Sequence, residues 1–529
     1  MKTSSLVIRS AVIAALGGFL FGFDTAVISG TVDDLKSVFR LDDWWLGFTV
    51  ASALIGTILG AATVQIPSNR LGRKPTMLIM AALYFVSAVG SACPWNYETM
   101  TTWDWYGFLF ARFIGGIAVG GASVVSPLYT AEISPAKRRG VLVAVVQFNI
   151  VLGMLVAFFS NYVIASLNLG DLGWRWMFGV EAFPAAAFFF LLFTVPESPR
   201  WLIGKNRTDK ARPILESLGT DSGSVDEEVK IIETAVEEER QSGKEVFFCH
   251  RYRFPILLAI FMAAFNQLSG INAVWYYAPK IFTIAGASKG VSMFLPVVIG
   301  LTNIVFTIAA MYTIDWLGRR KLMLAGSIGY ITSLCIVGGA FIVYAPEFNL
   351  SIRKIAVSEA QETIKNTEEA LETATPETAE FIRDELETAK QSLAEAAEKL
   401  HKAEEVFATS GRELPHGVPM AGILIVLGGL MLFIASHAFG QGACIWVFLG
   451  EIFPNQVRAQ GQALGAFVHW ILCALISLLF PPLLALFGPA MIFLGFAGFM
   501  VLQLAWVVGI MPETKQIPLE EMEKKLGIR

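Results

Sequence analysis

The sequence predicts an all-α membrane protein with twelve transmembrane helices in two six-helix halves and a charged helical hairpin inserted into the second half. Composition is the first reason: of 529 residues 55% are hydrophobic and only 16% are charged, whereas soluble domains carry about 25% charged residues. The second reason is the alternation of long apolar runs with short polar segments, which is typical of helical membrane proteins. The third is a repeat of short motifs between the halves.

Hydropathy locates the spans. The first half has candidates near 8–30, 46–68, 75–93, 105–131, 140–167 and 175–196. The second half has candidates near 254–285, 291–315, 321–345, 419–450, 458–486 and 489–511. Each run is long enough to cross the hydrocarbon core, which takes about 20 residues.

The positive charges of the short loops predict the orientation. "NRLGRK" (69–74), "AKRRG" (136–140) and "LGRRK" (317–321) follow the second, fourth and eighth spans, whereas the loop 94–104 has neither Lys nor Arg. Loops rich in Lys and Arg stay on the cytoplasmic side. We therefore expect a multi-pass protein of the cell membrane, embedded in the lipid bilayer, with both termini in the cytoplasm.

Motif pairs reveal an internal repeat. "NRLGRKPTML" (69–78) recurs as "DWLGRRKLML" (315–324), and "AEISPAKRRG" (131–140) recurs as "GEIFPNQVRA" (450–459). The second pair is spaced more widely than the first, which places an insertion in the second half. Parallel halves of this kind predict a substrate path between them. The predicted units are 1–199, a cytoplasmic linker 200–252, 253–346, the insertion 347–415, 416–511 and a cytoplasmic tail 512–529.

The insertion 347–415 is charged and rich in alanine. Apolar residues from Ile382 to Phe407 recur with the 3,4 spacing of a helix–helix seam. The sequence predicts a helical hairpin on the extracytoplasmic side. We interpret it as a decoration of this chain, and the alternative is a module that binds an unknown extracytoplasmic partner.

Several short motifs, taken in their order along the chain, resemble those of a known family. "GRK" and "GRR" in equivalent loops, "PLYTAEISPAKRRG", "VPESPRWL", "NQLSGINAVWYYAPKIF" and "MPETK" together resemble the sugar porter family of the major facilitator superfamily. The match covers the chain except 347–415, and the first half is most similar to proton-coupled bacterial members. The resemblance implies the major facilitator fold and proton-coupled import of a pentose or hexose, such as D-xylose or D-glucose.

A carboxylate in the first span is the candidate for proton coupling. Asp24 lies in "GGFLFGFDTAVISG", and an aspartate in the middle of a span costs about 2.5–3.5 kcal/mol on insertion. By resemblance to the family, Arg112 of the fourth span faces it. Glu181 of the sixth span assists, or is a structural acid. The alternative for Asp24 is a static ion pair.

Amides and aromatic rings form the candidate sugar site, because sugar hydroxyls need donors and acceptors while pyranose faces suit aromatic rings. Gln267 and Asn272 share a face only if the helix breaks at "SGIN", which Gly270 permits. The alternatives are interhelical hydrogen bonding and interfacial anchoring. The chain follows the family pattern at some positions and departs from it at Asn266 and His469. The whole set is Phe21, Gln147, Asn266, Gln267, Asn272, Tyr276, Asn303, Trp446, His469 and Trp470. His437, in contrast, is expected to pack or to bond to backbone.

Acid–base sets at the cytoplasmic helix ends predict an ion-pair network that differs between conformations. Its members are Arg73, Glu132, Arg139, Asp315, Arg319, Glu451 and Arg458. The alternative is that these basic loops only fix orientation. Position 69 is Asn where much of the superfamily has Asp, so one partner of the first-half network is missing.

Other functions are less well supported. The sequence shows no nucleotide loop, metal-ligand spacing or nucleophile–base pair that would indicate an enzyme, a cofactor, a metal site or a nucleic-acid partner. An uncoupled facilitative carrier is the nearest alternative, but facilitative relatives lack the carboxylate at Asp24. A sugar sensor is the third, although the tail after the last span is short. The identity of the sugar and the proton stoichiometry stay open.

Overall fold

The computed structural model describes residues 5–93, 101–135, 138–219, 224–241, 246–373, 376–409, 419–454, 456–517 and 519–528. Within these ranges the chain forms helices joined by turns, with no β-strand. The all-helical prediction is confirmed for this part of the chain. Eleven stretches are long and apolar enough to cross a membrane.

The first half contains six of these stretches, which are numbered here as spans 1 to 6. They are Ser5–Gly30, Asp43–Thr63, Arg73–Ala92, Thr102–Ile133, Gly140–Ser166 and Gly170–Leu192. Short helices Val32–Val38 and Gln65–Leu71 lie between the first three spans. Span 6 consists of a 3₁₀ turn, Gly170–Leu172, and two helices, Gly173–Gly179 and Ala182–Leu192.

The second half begins with spans 7 to 10: His250–Ile284, Lys289–Leu317, Arg319–Val343 and Met420–Glu451. Span 7 is divided into Arg253–Leu268 and Ile271–Ile284, and span 10 into Met420–Phe439 and Gln441–Glu451. Gly270 between the halves of span 7 has φ 84°, so the predicted break at "SGIN" is confirmed.

The last apolar element, Arg458–Gly509, is 52 residues long. At 1.5 Å per residue a single helix of this length would greatly exceed the hydrocarbon core of about 30 Å. Gly488 interrupts it with φ 72° and ψ 166°, and Pro489 follows. The element therefore consists of two helices, here spans 11 and 12, which is consistent with twelve crossings.

Several helix starts follow from local sequence. The Asp42 carboxylate accepts from the Trp45 amide at 2.8 Å, which caps span 2. At the start of span 4 the Thr101 amide donates to the Asp104 carboxylate at 2.8 Å in a capping box. These caps satisfy amides that a helix leaves free at its first turn.

Small residues set how closely the spans approach. A Cβ on Gly22 would lie 1.8 Å from the Ile150 carbonyl oxygen, so spans 1 and 5 touch through their backbones. A Cβ on Gly47 would lie 2.0 Å from the Leu478 carbonyl oxygen, which brings span 2 of the first half against span 11 of the second. Such contacts are typical of membrane helices, which pack through small residues.

Polar elements lie on two faces of the bundle. The basic face carries the loops 69–74 and 317–321, the linker helices Pro199–Gly204, Thr208–Leu218 and Val225–Gln241, and the last helix, Leu519–Lys525. The opposite face carries the inserted helices Ala345–Thr373 and Pro376–Thr409. Leu350 of the first inserted helix packs with Ala403 and Phe407 of the second.

Candidate functional site

A buried ion pair lies in the middle of the first half. Arg112 Nη1 of span 4 is 2.5 Å from Asp24 Oδ1 of span 1, and Nη2 is 3.3 Å from Oδ2. The two side chains are only 2% and 4% exposed. The guanidinium also lies over the Phe178 ring, 5.2 Å from its centroid. The pairing offsets the cost of burying either charge, which is high for an unpaired ion.

Glu181 of span 6 lies beside this pair. It is buried and close enough to interact electrostatically with both Asp24 and Arg112. Its Oε1 has no hydrogen-bond partner in the described structure. One cation therefore faces two carboxyl groups, and the cluster carries one uncompensated negative charge if both are ionised. A bound proton cancels that charge.

A narrow cavity connects this cluster to the second half. Its walls include Asp24 and Arg112 from the first half and Tyr276 and Trp470 from the second. Its free volume of about 10 Å³ has room for roughly one water molecule. This cavity is too small for a monosaccharide, but it places groups of both halves around one point.

The amides of span 7 converge where that helix breaks. Asn272 Nδ2 donates to Gln267 Oε1 at 2.6 Å, and Gln267 Nε2 donates to Asn266 Oδ1 at 2.9 Å. Gln267 Nε2 is also 3.1 Å from His469 Nδ1 of span 11. The break at Gly270 lets two amides five residues apart meet, as the sequence predicted. The result is a preorganised polar cluster of donors and acceptors.

Aromatic rings border the amides. The His469 ring lies 5.3 Å from Trp446 and 5.0 Å from Trp470, measured between centroids. Phe21 of span 1 lies 5.7 Å from Trp470, so the aromatic set also crosses between the halves. Trp446 is 40% exposed, whereas Trp470 is buried. Amides and flat rings together suit the polar edges and apolar faces of a sugar.

Two predicted members lie apart from these contacts. Gln147 of span 5 is exposed. Asn303 of span 8 is buried, and its Oδ1 accepts from Thr307 of its own helix at 3.5 Å. The structure thus joins Phe21, Asn266, Gln267, Asn272, Trp446, His469 and Trp470 by direct contacts, and it joins Tyr276 to them through the cavity.

On the basic face the first half forms a bidentate ion pair. Arg73 Nε donates to Glu132 Oε2 at 2.9 Å, and Nη2 donates to Oε1 at 2.8 Å. Asn69 Oδ1 lies 3.4 Å from Arg73 Nη1, so the amide still contacts the guanidinium although it brings no charge. The side chain of Arg139 lies outside the described residues.

The second half forms the matching pair. Arg319 Nη2 donates to Glu451 at 2.8 Å, and Nη1 donates to Asp315 at 3.1 Å. Of the predicted members of this network, Arg458 does not pair with an acidic side chain among the described residues. Arg458 Nε donates instead to the Phe453 carbonyl at 3.4 Å, because Arg458 begins span 11 and points back over the preceding turn.

Two further acidic residues, one in each half, were not singled out from the sequence. Glu197 of "VPESPR" accepts from the backbone amides of Arg73 and Lys74 at 3.0 and 3.2 Å. Glu513 of "MPETK" accepts from the amides of Arg319 and Arg320 at 3.0 and 3.1 Å. Burial raises the pKa of Glu197, and these amide hydrogen bonds oppose the rise. The similarity of "VPESPR" (195–200) to "MPETK" (511–515) in the sequence was the signal for this symmetric role.

The halves are joined by charges on the opposite face. Lys280 Nζ of span 7 lies 2.7 Å from Asp33 of the helix after span 1, and Lys289 Nζ lies 4.0 Å from Asp34. Burial raises the pKa of Asp34, which Lys289 partly offsets. Together with the contact of Gly47 and Leu478, these pairs connect the two halves on the opposite face.

Matches to known proteins follow the same plan. The family model described as sugar (and other) transporter matches residues 10–357 and 405–526. The D-xylose-proton symporter of Escherichia coli (strain K12) is 32% identical over 98% of this chain and 96% of its own length. The glucose transport protein of Synechocystis sp. is 32% identical over 96% of this chain and 95% of its own length.

A solved structure agrees in fold. The xylose transporter of E. coli in a partially occluded inward-open conformation superposes with a TM-score of 0.74. It is 30% identical in sequence, over 97% of this chain and 100% of that one. The segment that the family model omits, 358–404, lies within the inserted helices.

Proposed function

The chain belongs to the family of sugar (and other) transporters, and on that premise we propose that it imports a monosaccharide together with a proton. One observation carries the proposal: the buried Asp24–Arg112 pair, with Glu181 beside it, borders a cavity shared with Tyr276 and Trp470 of the other half. A proton acceptor and candidate sugar groups thus meet between the two halves. The names of its relatives favour a pentose or a hexose, with D-xylose and D-glucose the first to try.

The topology we propose has twelve spans in two halves. Spans 1–6 and 7–12 form the halves, the basic face is cytoplasmic, and both termini lie on that side. The inserted helices are then extracytoplasmic, because they connect span 9 to span 10 on the opposite face. Because Lys280–Asp33 and Lys289–Asp34 join the halves on the opposite face, we propose that this conformation faces inward. Exposure of Gln147 and Trp446 agrees with a site open toward the cytoplasm.

The sugar groups divide by chemistry. Gln267 and Asn272 offer donors and acceptors to hydroxyl groups, while Trp446 and Trp470 offer flat apolar faces. Asn266 and His469 are the two positions at which the chain departs from the family pattern, so we propose that they tune which sugar is preferred. Gln147 and Asn303 would join the site when the halves close around a ligand.

The proton step uses Asp24. In the inward-facing state Arg112 holds Asp24 in a bidentate contact. A movement of span 4 against span 1 that withdraws Arg112 leaves Asp24 as a buried carboxylate without its counterion, a costly state that proton uptake removes. Proton uptake is thereby tied to conformation, which is what coupling requires.

The ion pairs on the basic face serve a different step. Arg73–Glu132 and Arg319–Glu451 each fasten a loop to its own half. We propose that these pairs and the caps Glu197 and Glu513 exchange partners as the halves rock, so that they bias the equilibrium between states.

The test separates coupling from binding. In proteoliposomes, Asp24→Asn is expected to abolish proton-driven accumulation while sugar counterflow continues, because the amide holds neither the charge nor the proton. Asp209→Asn, an exposed aspartate of the linker helices, is the matched control and should behave as wild type. Accumulation against a gradient by Asp24→Asn would rule out this proton site. Counterflow without any proton dependence in the wild type would favour the uncoupled carrier.

The insertion is proposed to be dispensable for transport. Its helices pack on each other, and the family model matches the chain on both sides of 358–404. Replacing 358–404 by a short Gly/Ser linker should preserve counterflow. Loss of counterflow in a variant that reaches the membrane would instead give the hairpin a role in gating or in binding a partner.

A further inference from the structure

Span 3 carries three buried hydroxyl groups on one face, here called the hydroxyl stripe. Tyr84, Ser87 and Ser91 follow one another at intervals of three and four residues, so they lie on the same side of the helix. Each residue is at most 2% exposed, and none of the three hydroxyls has a hydrogen-bond partner in the described structure. By contrast, Ser52 and Ser327 of other spans donate to carbonyls of their own helices. Buried polar groups are nearly always hydrogen-bonded, so the unpaired stripe indicates a further partner.

Close approaches at glycines place the hydroxyl stripe next to the buried ion pair. A Cβ on Gly115 of span 4 would lie 2.3 Å from Ser87 Oγ and 3.7 Å from Asp24 Oδ1. Because both oxygens lie at these distances from one point, they are no more than about 6 Å apart, which one bridging water can span. A Cβ on Gly179 of span 6 would lie 3.3 Å from the Ala92 Cβ of span 3. The outer part of span 3 therefore packs against spans 4 and 6 beside the charged cluster.

The charged cluster contributes two more unpaired atoms. Arg112 bonds to Asp24 through its two terminal nitrogens, and its Nε is buried without a partner among the described residues. Glu181 Oε1 is buried and unpaired in the same part of the chain. The region thus offers one N–H donor, one carboxyl oxygen and three hydroxyls that can donate or accept. Water donates and accepts hydrogen bonds and satisfies this mixture, whereas a cation or an anion would satisfy only part of it.

The hydroxyl stripe leads from the ion pair toward the opposite face. Span 3 begins at Arg73 on the basic face and ends at Ala92, so Ser91 lies close to its outer end. Ser87 lies one turn deeper, about 6 Å along the helix axis. Ser91 is only 1% exposed, so the outer end of the stripe is covered in this conformation.

We propose that the hydroxyl stripe holds a chain of water molecules through which a proton reaches Asp24 from the opposite face. Each water donates one proton toward the carboxylate and accepts one from the side of Ser91, so one proton is delivered and no hydroxyl is consumed. Because Ser91 is covered here, the chain meets outside water only in the other conformation, which ties proton entry to the transport cycle. This inference rests on the proposed function, in which Asp24 accepts the proton. The water itself is a property of the folded chain and is detected without sugar.

X-ray radiolysis of the purified protein tests for this water, because it generates hydroxyl radicals from water bound inside a protein as well as from bulk water. Tyr84 has no exposed surface, yet its ring should be oxidised about fivefold faster than that of Tyr330. Tyr330 is the internal control, since it is equally buried but its hydroxyl donates to Gln441 Oε1 at 3.0 Å. Equal rates of oxidation for the two rings would mean that the stripe is dry, and would overturn the proposal.

Two variants of equal volume test the role in proton delivery. Ser91→Thr keeps a hydroxyl, whereas Ser91→Val has a methyl group in the same place. In proteoliposomes, the ratio of sugar-dependent proton uptake to sugar counterflow should be about tenfold lower in Ser91→Val than in Ser91→Thr, because the methyl group interrupts the hydrogen-bonded chain. Exchange of the loaded carrier in counterflow needs no new proton. If the two variants have the same ratio, Ser91 is only a small packing residue and the proposed route is wrong.

Ser292 of span 8 is the control in the other half. It is 2% exposed, but its hydroxyl donates to the Lys289 carbonyl at 2.9 Å, so Ser292→Val and Ser292→Thr should have the same ratio. If the Ser91 variants do not reach the membrane, Tyr84→Phe replaces them: a ratio about threefold below wild type supports the route, and an unchanged ratio overturns it. A wild type without sugar-dependent proton uptake would refute the proposed coupling and the route with it, while the oxidation of Tyr84 would still decide whether the stripe holds water.

Discussion

The two halves of this chain share a fold but bury different chemistry. The first half buries charges: Asp24, Arg112 and Glu181 lie together between spans 1, 4 and 6. The second half buries neutral amides and rings, among them Gln267 and Trp470. Under the proposed function, the proton groups lie in the first half and most of the sugar groups lie in the second. Coupling would then depend on the contacts between the halves, here called the seam.

At the seam, side chains of both halves lie around one cavity. Tyr276 and Trp470 from the second half share a cavity with Asp24 and Arg112, and Phe21 from the first half packs on Trp470. A sugar that moves the rings and amides also moves the walls of the ion-pair site. We propose this contact as the route by which one half senses the other.

The largest expected effect on stability comes from removing the buried cation of the first half. Arg112→Met leaves two buried carboxyl groups without a counterion, which should lower the free energy of unfolding by about 3–5 kcal/mol. The double variant Arg112→Met with Asp24→Asn should recover much of this loss. Thermal unfolding in detergent measures both.

The second half supplies the control for that variant. Asn303→Ala, a buried neutral amide with one long hydrogen bond, should cost only about 1 kcal/mol. If Arg112→Met is as stable as wild type, the buried pair does not stabilise the bundle and the contrast between the halves fails.

A second prediction removes the centre of the amide cluster. Gln267→Ala deletes the partner of Asn272 and His469. Sugar affinity should fall by about 10- to 100-fold, which corresponds to roughly 1.4–2.8 kcal/mol. Calorimetric titration is the measurement, and Trp446→Ala should weaken binding as well.

Asn149→Ala is the matched control for Gln267→Ala, because Asn149 Nδ2 donates to the Val145 carbonyl of its own helix at 2.9 Å. It should bind sugar as the wild type does. Unchanged affinity in both Gln267→Ala and Trp446→Ala would exclude these residues from the sugar site. It would also contradict the proposed location of the sugar groups in the second half.

A third prediction targets the seam with a smaller change. Tyr276→Phe keeps the ring and removes the hydroxyl of a residue that lines the cavity beside Asp24 and Arg112. Steady-state accumulation should fall several-fold while counterflow changes little, since one hydroxyl is worth about 0.5–1.5 kcal/mol. Tyr277→Phe, which loses a bond to the Ser477 carbonyl within the second half, is the neighbouring control. Equal losses in both variants would remove Tyr276 from the coupling route.

Much of the fold could be predicted from the sequence because it depends on local patterns of residues. Apolar runs give the spans, and Gly270 marks the break of span 7 because an αL conformation favours glycine. Hydropathy also separated spans 11 and 12, at 486–489, and the structure divides them at Gly488. These features are local and need no knowledge of tertiary contacts.

The partners in the polar contacts were harder to predict from the sequence, because these contacts join segments that are distant along the chain. Glu451 sits seven residues from Arg458, yet it pairs with Arg319 and accepts from Thr514 at 2.6 Å. His437 was expected to pack or bond to backbone, but it bonds to the Tyr330 hydroxyl. Spacing along one chain shows which groups are available, whereas only the packing of helices decides which of them meet.

The smallest prediction concerns one difference in charge between the halves on the basic face. Arg319 has two acidic partners, Glu451 and Asp315, whereas Arg73 has Glu132 and the neutral Asn69. Asn69→Asp would give the first half the missing charge. Both position 69 and Asp315 are exposed, so the gain is that of a surface pair, about 0.2–1 kcal/mol.

Asn69→Asp should therefore raise the unfolding temperature only slightly, and Asp315→Asn should lower it by a similar amount. Salt distinguishes this electrostatic gain from better packing, because screening weakens pairs between exposed charges. Both shifts should shrink when unfolding is repeated at about 1 M salt, where the Debye length is near 3 Å. A large shift in either variant, or one that salt leaves unchanged, would mean that the two basic-face networks differ by more than one exposed charge.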